Sequence, residues 1–281
     1  MKIAWVTDST VSLDEDLLRN EDLYVIPLHV LLSGKEYRDG IDLAPSELFA
    51  LMKTKGAVPT TSQPSIGTFV NLYNDLKERY DCIICFHVSS ALSGTYSASL
   101  QASQMVEARI HVIDSLILTY PMAALIKTAM KMAGEGMDIN DIIDRIDSIK
   151  ESNHTYVLIG SLEQLHRSGR MSGSQYYIGN MLNIKPIISI ENGRLIVKEK
   201  VRSEKRAKQK ILSYLQADME KHLIKEIYIL YGLHKEESDS FREEVSRMYP
   251  ELSVSSYPLG TTIGVHAGEK TIGISWFNHM Y

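Results

Sequence analysis

The sequence predicts an α/β protein of two domains: an N-terminal domain with a parallel sheet flanked by helices, and a C-terminal domain with a mixed sheet. Apolar runs of strand length alternate with amphipathic helical stretches through the first half of the chain, which is typical of β-α-β units. After residue 153, a tight turn at Glu191-Asn192-Gly193 joins two apolar runs and indicates an antiparallel hairpin. We therefore expect domains at residues 1–153 and 154–281.

Composition limits the classes of function. A chain of 281 residues with 44% hydrophobic and 23% charged residues is typical of a globular protein and is long enough for two α/β domains. The formal net charge of -5 argues against general nucleic-acid binding, which depends on neutralising phosphates with Lys and Arg. No apolar run reaches the roughly 18 residues of a membrane-spanning helix, and Met1–Val6 leads into Thr7-Asp8 instead of a signal-peptide core. We expect a cytoplasmic protein without a membrane span.

The N-terminal elements follow from patterns of apolar residues and turn residues. Ser33-Gly34-Lys35 between two extended runs predicts a hairpin turn, and Pro45 opens a helix because proline is favoured in the first helical turn. Pro59 and Pro64 hold a polar loop ahead of an amphipathic helix. In chain order we expect strands at 2–6, 24–32, 82–88 and 110–113, and helices at 14–18, 45–52, 66–76, 120–133 and 139–151, with a further helix carrying Leu100 and Met105.

The C-terminal elements follow in the same way. We expect strands at 155–160, 186–190, 194–201, 226–231, 253–257 and 271–276, and helices near 162–168, 174–183, 203–222 and 236–248. Before the last strand, three glycines in Gly260–Gly268 give the backbone room to approach another group closely. His266 in this segment is a candidate hydrogen-bond donor to an anion, and the alternative is a buried structural histidine.

The stretch from Phe86 to Tyr96 predicts an anion site. An apolar run ends there in Ser89-Ser90-Ala91-Leu92-Ser93-Gly94 before a helix begins, so it indicates a strand, a tight turn and a helix N-terminus. Such a corner directs backbone N–H groups and the positive end of the helix dipole at one point, which suits a phosphate or a carboxylate. The alternative is that Ser93 only caps the helix.

Three predicted strands of the N-terminal domain end in small polar residues. These ends are Asp8-Ser9, Ser89-Ser90 and Asp114-Ser115. Because the carboxyl ends of parallel strands lie along one edge of a sheet, where ligands bind at the topological switch point, we expect the site at this edge.

The cysteines, Cys82 and Cys85, form a C-x-x-C pattern. In redox sites of the thioredoxin type this motif lies at a helix N-terminus, whereas here it falls within a predicted buried strand. Residues three apart on a strand face opposite sides. We expect two buried thiols.

Motifs of independent catalysis are missing from the sequence. Asp8 at a strand end is similar to an aspartyl-phosphate nucleophile, but Thr10 stands where that chemistry usually has a second carboxylate. The chain has no P-loop, no Gly-x-Ser-x-Gly elbow and no histidine pair with metal-ligand spacing. We therefore expect no ATP hydrolysis, no metal and no cofactor. A stand-alone hydrolase or phosphatase using Asp8, Ser93 or His266 is the alternative function.

Several motifs together resemble a known family. Val6–Thr10, Thr60–Ser65 and Ser89–Tyr96 occur in order with Asp114-Ser115, Arg167–Arg170 and the glycine segment around His266. In this combination the chain resembles a DegV-family protein, and specifically the fatty-acid-binding subunit (FakB) of bacterial fatty acid kinase. The resemblance spans both domains and implies a DegV-like fold that buries one long-chain fatty acid between and beneath the domains.

The resemblance also implies which residues bind the ligand. The carboxylate is held by Thr61, by Ser93 with Gly94, and by His266, which agrees with the anion site predicted at the corner. One departure from the family pattern follows the histidine, where Glu269-Lys270 replaces the usual Pro-Gly. The polar rim near the ligand comprises Asp8, Ser9, Thr60, Ser62, Ser90, Asp114 and Ser115.

The function implied by the resemblance is that of a carrier and not of an enzyme. A separate ATP-dependent kinase phosphorylates the bound carboxylate, and the acyl phosphate then passes to an acyltransferase for phospholipid synthesis. Arg170 and Arg202 match positions that contact the kinase in the family. The alternative is that the basic residues around Arg202 only form a solvent-exposed helix face and do not contact a partner.

Overall fold

Helices and strands alternate through the first half of the chain except over residues 23–38, where three strands follow one another. The computed structural model describes residues 1–55, 58–172 and 184–280. The N-terminal elements are β1 (Ile3–Asp8), α1 (Glu15–Leu18), β2 (Leu23–Ile26), β3 (His29–Leu32), β4 (Lys35–Arg38), α2 (Pro45–Lys55), β5 (Thr60–Ser62), α3 (Ile66–Lys77), β6 (Cys82–His87), α4 (Thr95–Ser103), β7 (Ile110–Asp114) and α5 (Thr119–Gly134).

The second half begins with a helix and then forms the larger sheet. Its elements are α6 (Ile139–Glu151), β8 (Asn153–Leu158), α7 (Leu162–Arg167), β9 (Lys185–Glu191), β10 (Arg194–Val201), α8 (Glu204–Met219), β11 (Glu226–Tyr231), α9 (Lys235–Met248), β12 (Ser253–Pro258), α10 (Thr261–Ala267) and β13 (Ile272–Phe277). The helix expected at 174–183 lies outside the described residues.

The N-terminal sheet is parallel. Its four strands run in the order β2-β1-β6-β7, and every neighbouring pair is parallel. Helices α3 and α4 pack on one face, where Phe69 and Tyr73 of α3 and Ala98 of α4 meet Ile83 and Cys85 of β6. The predicted α/β fold with a parallel sheet is confirmed.

A small antiparallel sheet of order β4-β3-β5 belongs to the same half of the chain. The apolar run at 24–32 is therefore not one strand, because β2 ends at Ile26 and β3 begins at His29 in a different sheet. Pro27 lies at this break and has no N–H to give to a strand ladder. The hairpin predicted at Ser33-Gly34 is confirmed, with φ values of 54° and 77° at these two residues.

The C-terminal sheet is mixed. Six strands run in the order β10-β9-β8-β13-β11-β12, and only the β11–β12 pair is parallel. Helices α8 and α9 cover one face through residues such as Ile211, Leu215 and Phe241, which pack with Ile274 and Trp276 of β13. The predicted hairpin turn at Asn192-Gly193 is confirmed, since both residues have positive φ, 48° and 76°.

The chain divides into two compact units. The N-terminal unit comprises residues 1–130 together with Gly260–Thr262, and the C-terminal unit comprises 131–259 and 263–281. The sequence predicts the boundary after residue 153, and so assigns residues 131–153 to the N-terminal domain. Gly260–Thr262, although close to the C-terminal strand in sequence, therefore belong to the N-terminal unit.

Candidate functional site

The carboxyl ends of three neighbouring strands define the edge at which the sequence predicts a site. Strand β1 lies between β2 and β6, and β6 lies between β1 and β7. The chain proceeds from β1 to β2 on one side and reaches β6 and β7 on the other, so the switch point falls between β1 and β6. The corner that follows β6 is therefore placed at the switch point.

This corner is a tight turn leading into α4. The carbonyl of Ser89 accepts hydrogen bonds from the N–H groups of Leu92 and Ser93, at 2.9 and 3.1 Å. Ser93 is half-buried, and its Oγ accepts from the Thr95 N–H at 3.3 Å. Gly94 holds the N-cap position and has no side chain with which to cap the helix. Ser93 therefore caps the Thr95 N–H, whereas the next N–H groups of the first turn of α4 have no intrahelical carbonyl and suit an anion.

The Thr60-Thr61-Ser62 segment forms strand β5, not the irregular loop expected from the sequence. It pairs antiparallel with β3, and Thr61 lies opposite Val30, which is fully buried. Because side chains alternate along a strand, Thr61 shares the inner face with Val30, whereas Thr60 and Ser62 face the other way. Thr61 and Ser62 are half-buried and Thr60 is exposed. Of the three residues, Thr61 alone lies on the inner face.

The β5 segment and the corner meet at Gly94. A Cβ atom at Gly94 would lie 2.9 Å from Nε2 of Gln63, so the absence of a side chain permits this approach. Residues from both segments line a surface groove of about 480 Å³. Its lining includes Ser62, Gln63, Gly94, Ser97 and Gln101. The structure therefore brings together the two N-terminal motifs that the sequence assigns to one site.

The remaining rim residues make separate local contacts. Asp114 Oδ1 accepts from the N–H of Ser90 and from the N–H of Leu116, both at 3.1 Å, and so ties the turn after β7 to the corner. Ser115 is buried, and its Oγ donates to the Ile117 carbonyl at 3.1 Å. Ser9 Oγ donates to Asp39 at 2.9 Å. These residues support the edge of the sheet and do not converge on one point.

Asp8 is buried in a polar network and is not placed to act as a nucleophile. Its side chain is fully buried, with Oδ1 accepting from the N–H and hydroxyl of Thr10 and Oδ2 accepting from the Val88 N–H at 2.9 Å. The same Oδ2 lies 3.1 Å from His87 Nδ1, and His87 Nε2 lies 2.8 Å from Ser99 Oγ. This geometry gives no support to the alternative of a hydrolase or phosphatase that uses Asp8.

The buried network contains residues that sequence reasoning missed. His87, Tyr73 and Ser99 are fully buried, and Tyr73 OH lies 2.5 Å from Ser99 Oγ and 3.3 Å from Cys85 Sγ. The sequence did offer a signal for His87, because it is a polar residue at the end of an apolar strand. As predicted, Cys82 and Cys85 are buried thiols, and burial raises the pKa of Cys82 to about 11 and that of Cys85 to about 12.

His266 lies in the last turn of helix α10. The sequence indicated only a glycine-rich segment there, so this helix is a correction to the prediction. Burial, together with the positive charge of Arg170, lowers the pKa of His266 to about 4. At neutral pH the imidazole is therefore uncharged and carries a single N–H with which it can donate a hydrogen bond.

The two predicted docking arginines differ in their surroundings. Arg170 is half-buried, its Nη1 donates to the Ser168 carbonyl at 2.5 Å, and burial lowers its pKa. Arg202 is exposed at the bend between β10 and α8. Arg202 is thus the one of the two that is presented to solvent.

The described part of the chain contains neither a group of metal-ligating side chains nor a membrane-spanning helix. Among residues 1–55, 58–172 and 184–280, no three His, Cys, Asp or Glu side chains are grouped so that they could hold a metal ion. Within the same residues, no helix combines the length and the apolar character needed to cross a bilayer.

Comparison with known proteins gives full-length matches. The chain resembles DegV from Bacillus subtilis, a fatty acid binding protein, with 33% identity, a TM-score of 0.91 and 99% of each chain covered. It resembles the fatty-acid-binding DegV family protein from Thermus thermophilus with 31% identity and a TM-score of 0.90, covering 99% of this chain and 100% of the other. A stearic acid-binding protein from Eubacterium ventriosum matches with 26% identity and a TM-score of 0.89 over 99% of both chains.

The family assignment rests on the whole sequence. The model of the DegV family, described as uncharacterised proteins, matches residues 2–279. The fold, the order of the motifs and the full-length relatives agree with it. This chain belongs to the DegV family.

Proposed function

We propose that this protein binds a long-chain fatty acid and presents its carboxylate to a separate ATP-dependent kinase, as FakB does in bacterial fatty acid kinase. The acyl phosphate formed then passes to an acyltransferase for phospholipid synthesis in the cytoplasm. The observation that carries the proposal is the match over the whole chain, at TM-scores of 0.90 and 0.91, to two proteins described as binding fatty acids. The sequence has no P-loop, which supports the assignment of ATP chemistry to a partner.

The proposed carboxylate site uses the corner and the strand β5. Ser93 and Gly94 lead into the first turn of α4, where Ser93 Oγ accepts from the Thr95 N–H, and Thr61 lies on the inner face of its sheet. A carboxylate accepts hydrogen bonds from such N–H and hydroxyl donors. His266, whose pKa is lowered to about 4, acts as a neutral donor and not as a cation.

The hydrocarbon tail provides most of the binding free energy in this proposal. Burial contributes about 0.8 kcal/mol per methylene, so a tail of about sixteen carbons contributes on the order of 10 kcal/mol before ordering costs. A hydrogen bond to a charged group contributes about 1.5–3 kcal/mol. The polar residues therefore set the position of the head group, while the tail sets affinity.

The direct test is extraction of the purified protein under denaturing conditions, followed by mass spectrometry of lipids. A buried acyl chain survives purification, so about one fatty acid per chain is expected. A protein that is empty as purified and that takes up no added palmitate would contradict the proposal.

The head-group residues are tested by Thr61→Ala combined with Ser93→Ala. Loss of both hydroxyls is expected to weaken binding of a fluorescent long-chain fatty acid roughly a hundredfold, because each hydrogen bond to a carboxylate contributes about 1.5 kcal/mol or more and about 1.4 kcal/mol is a tenfold change in affinity. The matched control is Thr54→Ala combined with Thr60→Ala, which removes two exposed threonine hydroxyls, one of them from the opposite face of the same strand. Equal affinities for the two double variants would show that the carboxylate lies elsewhere.

The kinase partner is tested at Arg202. Arg202→Glu is expected to leave the fatty acid content unchanged and to lower the rate of acyl phosphate formation with a purified bacterial fatty acid kinase, because a charge is reversed at an exposed docking residue. Arg194→Glu serves as the control, since Arg194 is also exposed and belongs to the same unit. A rate for Arg202→Glu that matches the control would remove Arg202 from the interface.

A further inference from the structure

A buried hydroxyl outside the proposed carboxylate contacts lies at the end of helix α10. Thr271 is the residue before β13, and 3% of its surface is exposed. Its Oγ1 lies 2.8 Å from the Ala267 carbonyl oxygen and 2.9 Å from that of Gly268, and it accepts from the Gly160 N–H at 3.0 Å. A hydroxyl has one proton and two lone pairs, so it can donate and accept at once. Thr271 therefore joins the last turn of α10 to the residues that follow β8.

The carbonyl of Ala267 receives hydrogen bonds from outside its helix. The last carbonyls of a helix have no partner within it. Here the Ser161 N–H donates to the Ala267 carbonyl at 2.9 Å, beside the Thr271 hydroxyl. Gly268 follows with a φ of 85° and ends the helix in the left-handed conformation. The residue directly after His266 is thus bound to two separate segments of the chain.

The turn after α10 is also held by backbone contacts with the end of β11. The Gly232 N–H donates to the Thr271 carbonyl, and the Leu233 N–H donates to the Glu269 carbonyl, both at 2.8 Å. A Cβ atom at Gly232 would collide with the Glu269 carbonyl oxygen, so glycine is needed for this close packing. Main-chain atoms make these contacts. They therefore do not require the Pro-Gly of the family pattern where this chain has Glu269-Lys270.

We propose that Thr271 is a positioning residue for the head-group site: its hydroxyl fixes the last turn of α10 and so the orientation of His266. The inference rests on the proposed function, in which His266 donates to the fatty acid carboxylate. Thr271 and His266 belong to the same compact unit. A helix of seven residues is marginal without outside contacts, so the hydrogen bonds at its last carbonyls decide where that turn lies. Without the hydroxyl, the Ala267 carbonyl loses one donor and the Gly160 N–H loses this acceptor.

The experiment is a double-mutant cycle between Thr271→Val and His266→Ala, with the affinity for a fluorescent long-chain fatty acid as the readout. Valine has nearly the shape of threonine but lacks the hydroxyl. In the wild-type background Thr271→Val is expected to weaken binding about tenfold, the equivalent of one hydrogen bond to a carboxylate. In the His266→Ala background it is expected to have no further effect. Thr271→Ser keeps the hydroxyl and is expected to bind like the wild type.

Thr155→Val is the matched control. Thr155 is also 3% exposed and belongs to the same unit, and its Oγ1 lies 2.7 Å from both Asn153 Oδ1 and Ser275 Oγ. Its replacement removes an equally buried and bonded hydroxyl, so stability is expected to fall while fatty acid binding stays like that of the wild type. An equal loss of affinity in the two valine variants would mean that lost stability explains the effect, and it would overturn the inference.

Two measurements do not need the ligand. The ring signals of His266 in the NMR spectrum of the ligand-free protein are expected to shift in Thr271→Val, but not in Thr271→Ser or Thr155→Val. If Thr271→Val does not fold, hydrogen exchange of the wild type tests the anchor, because the amides of Gly160 and Ser161 should be protected as well as those of β13. Much faster exchange at these two amides would overturn it.

The outcomes separate the inference from the function on which it rests. Equal weakening by Thr271→Val in both backgrounds would mean that Thr271 acts independently of His266, which contradicts the inference. If His266→Ala binds the acid like the wild type, the proposed head-group site is wrong and the inference falls with it. If the wild type binds no fatty acid, the proposed function fails. Unshifted His266 signals in Thr271→Val would then overturn the anchor as well.

Discussion

A buried hydrogen-bond network lies behind the corner. Asp8 accepts hydrogen bonds from Thr10 and Val88, and its Oδ2 lies 3.1 Å from His87 Nδ1. On the other side of the ring, His87 Nε2 lies 2.8 Å from Ser99 Oγ, which also contacts Tyr73 OH. Because Asp8 also binds the Val88 N–H, the network fixes the end of β6, from which the corner departs.

The protonation of His266 is predicted at the residue scale. Its pKa is lowered to about 4, so a titration of histidine ring signals in the ligand-free protein should place the midpoint of His266 well below 6.5. The folded protein favours the neutral ring, whereas the unfolded chain takes up a proton near pH 6.5. The stability that comes from this group is therefore present above pH 6.5 and lost as pH falls towards 4.

His266→Gln is the reference variant for this titration. This variant identifies the ring signal of His266 and removes the titrating group. As pH falls from 6.5 to 4, the free energy of unfolding of the wild type should therefore decrease relative to that of the variant. A midpoint near 6.5 in the NMR titration would contradict the buried, uncharged donor assigned to this residue.

At the scale of elements, helix α1 is held to α5 by one aspartate. Asp14 Oδ1 accepts from the Leu17 N–H at 3.1 Å, and Oδ2 accepts from Lys127 Nζ at 2.6 Å and from Tyr120 OH at 2.9 Å. Burial alone would raise the pKa of Asp14, but these hydrogen bonds outweigh it and the pKa is lowered. The carboxylate therefore stabilises the fold in its charged form.

Asp14→Ala is expected to lower the free energy of unfolding by about 1–2 kcal/mol at pH 7, the cost of a lost cap and a charged hydrogen bond. Since the folded pKa lies below the unfolded value of 3.8, the part of this difference that comes from the charge is present above pH 3.8 and lost as pH falls through the folded pKa. Urea titrations at several pH values measure it. Asp16→Ala, at an exposed partner of the same lysine, should change stability less; an equal loss would show that the cap contributes nothing.

Elements with strong local patterns were predictable, and those formed by distant contacts were not. The amphipathic helix α3 and the buried strand β6 follow from residue spacing alone, and both are confirmed. Strand β5 has only three residues and exists because β3 pairs with it, which no local pattern shows. Helix α10 contains Gly264 and begins after Gly260, so its intrinsic propensity is low, and its first turn depends on contacts with residues more than 200 positions earlier.

The site was predictable to a similar degree. The corner at Ser93-Gly94 follows from helix-terminus chemistry, and the structure does place it beside the β5 segment. The sequence alone does not show that Thr61, and not Thr60 or Ser62, faces inward, because this depends on the pairing of β5 with β3. The burial of Asp39, the partner of Ser9, gave no signal either, because the residues that bury it come from β1, from the residue before β3 and from Gly260–Thr262.

At the scale of the whole molecule, the predicted boundary at residue 153 can be tested. A fragment of residues 1–153 contains the parallel sheet but lacks Gly260–Thr262, so the surroundings of Asp39 are open to water. Hydrogen exchange at the amides of Leu28 and Asp39 is expected to be faster in the fragment than in the intact protein, whereas amides of the central strand β6 serve as the internal control. Equal protection at all these amides would show that the late segment is not needed to complete the unit.

The return of Gly260–Thr262 to the first unit has a consequence for synthesis. A ribosome makes the residues of β1 and β4 early, yet the residues that close over Asp39 are translated only after those of β12. Until then the Asp39 carboxylate of the nascent N-terminal half stays uncovered, so the final packing of this unit is a late event. Truncated products of this gene would lack that closure, which makes them preferred substrates for cellular proteases.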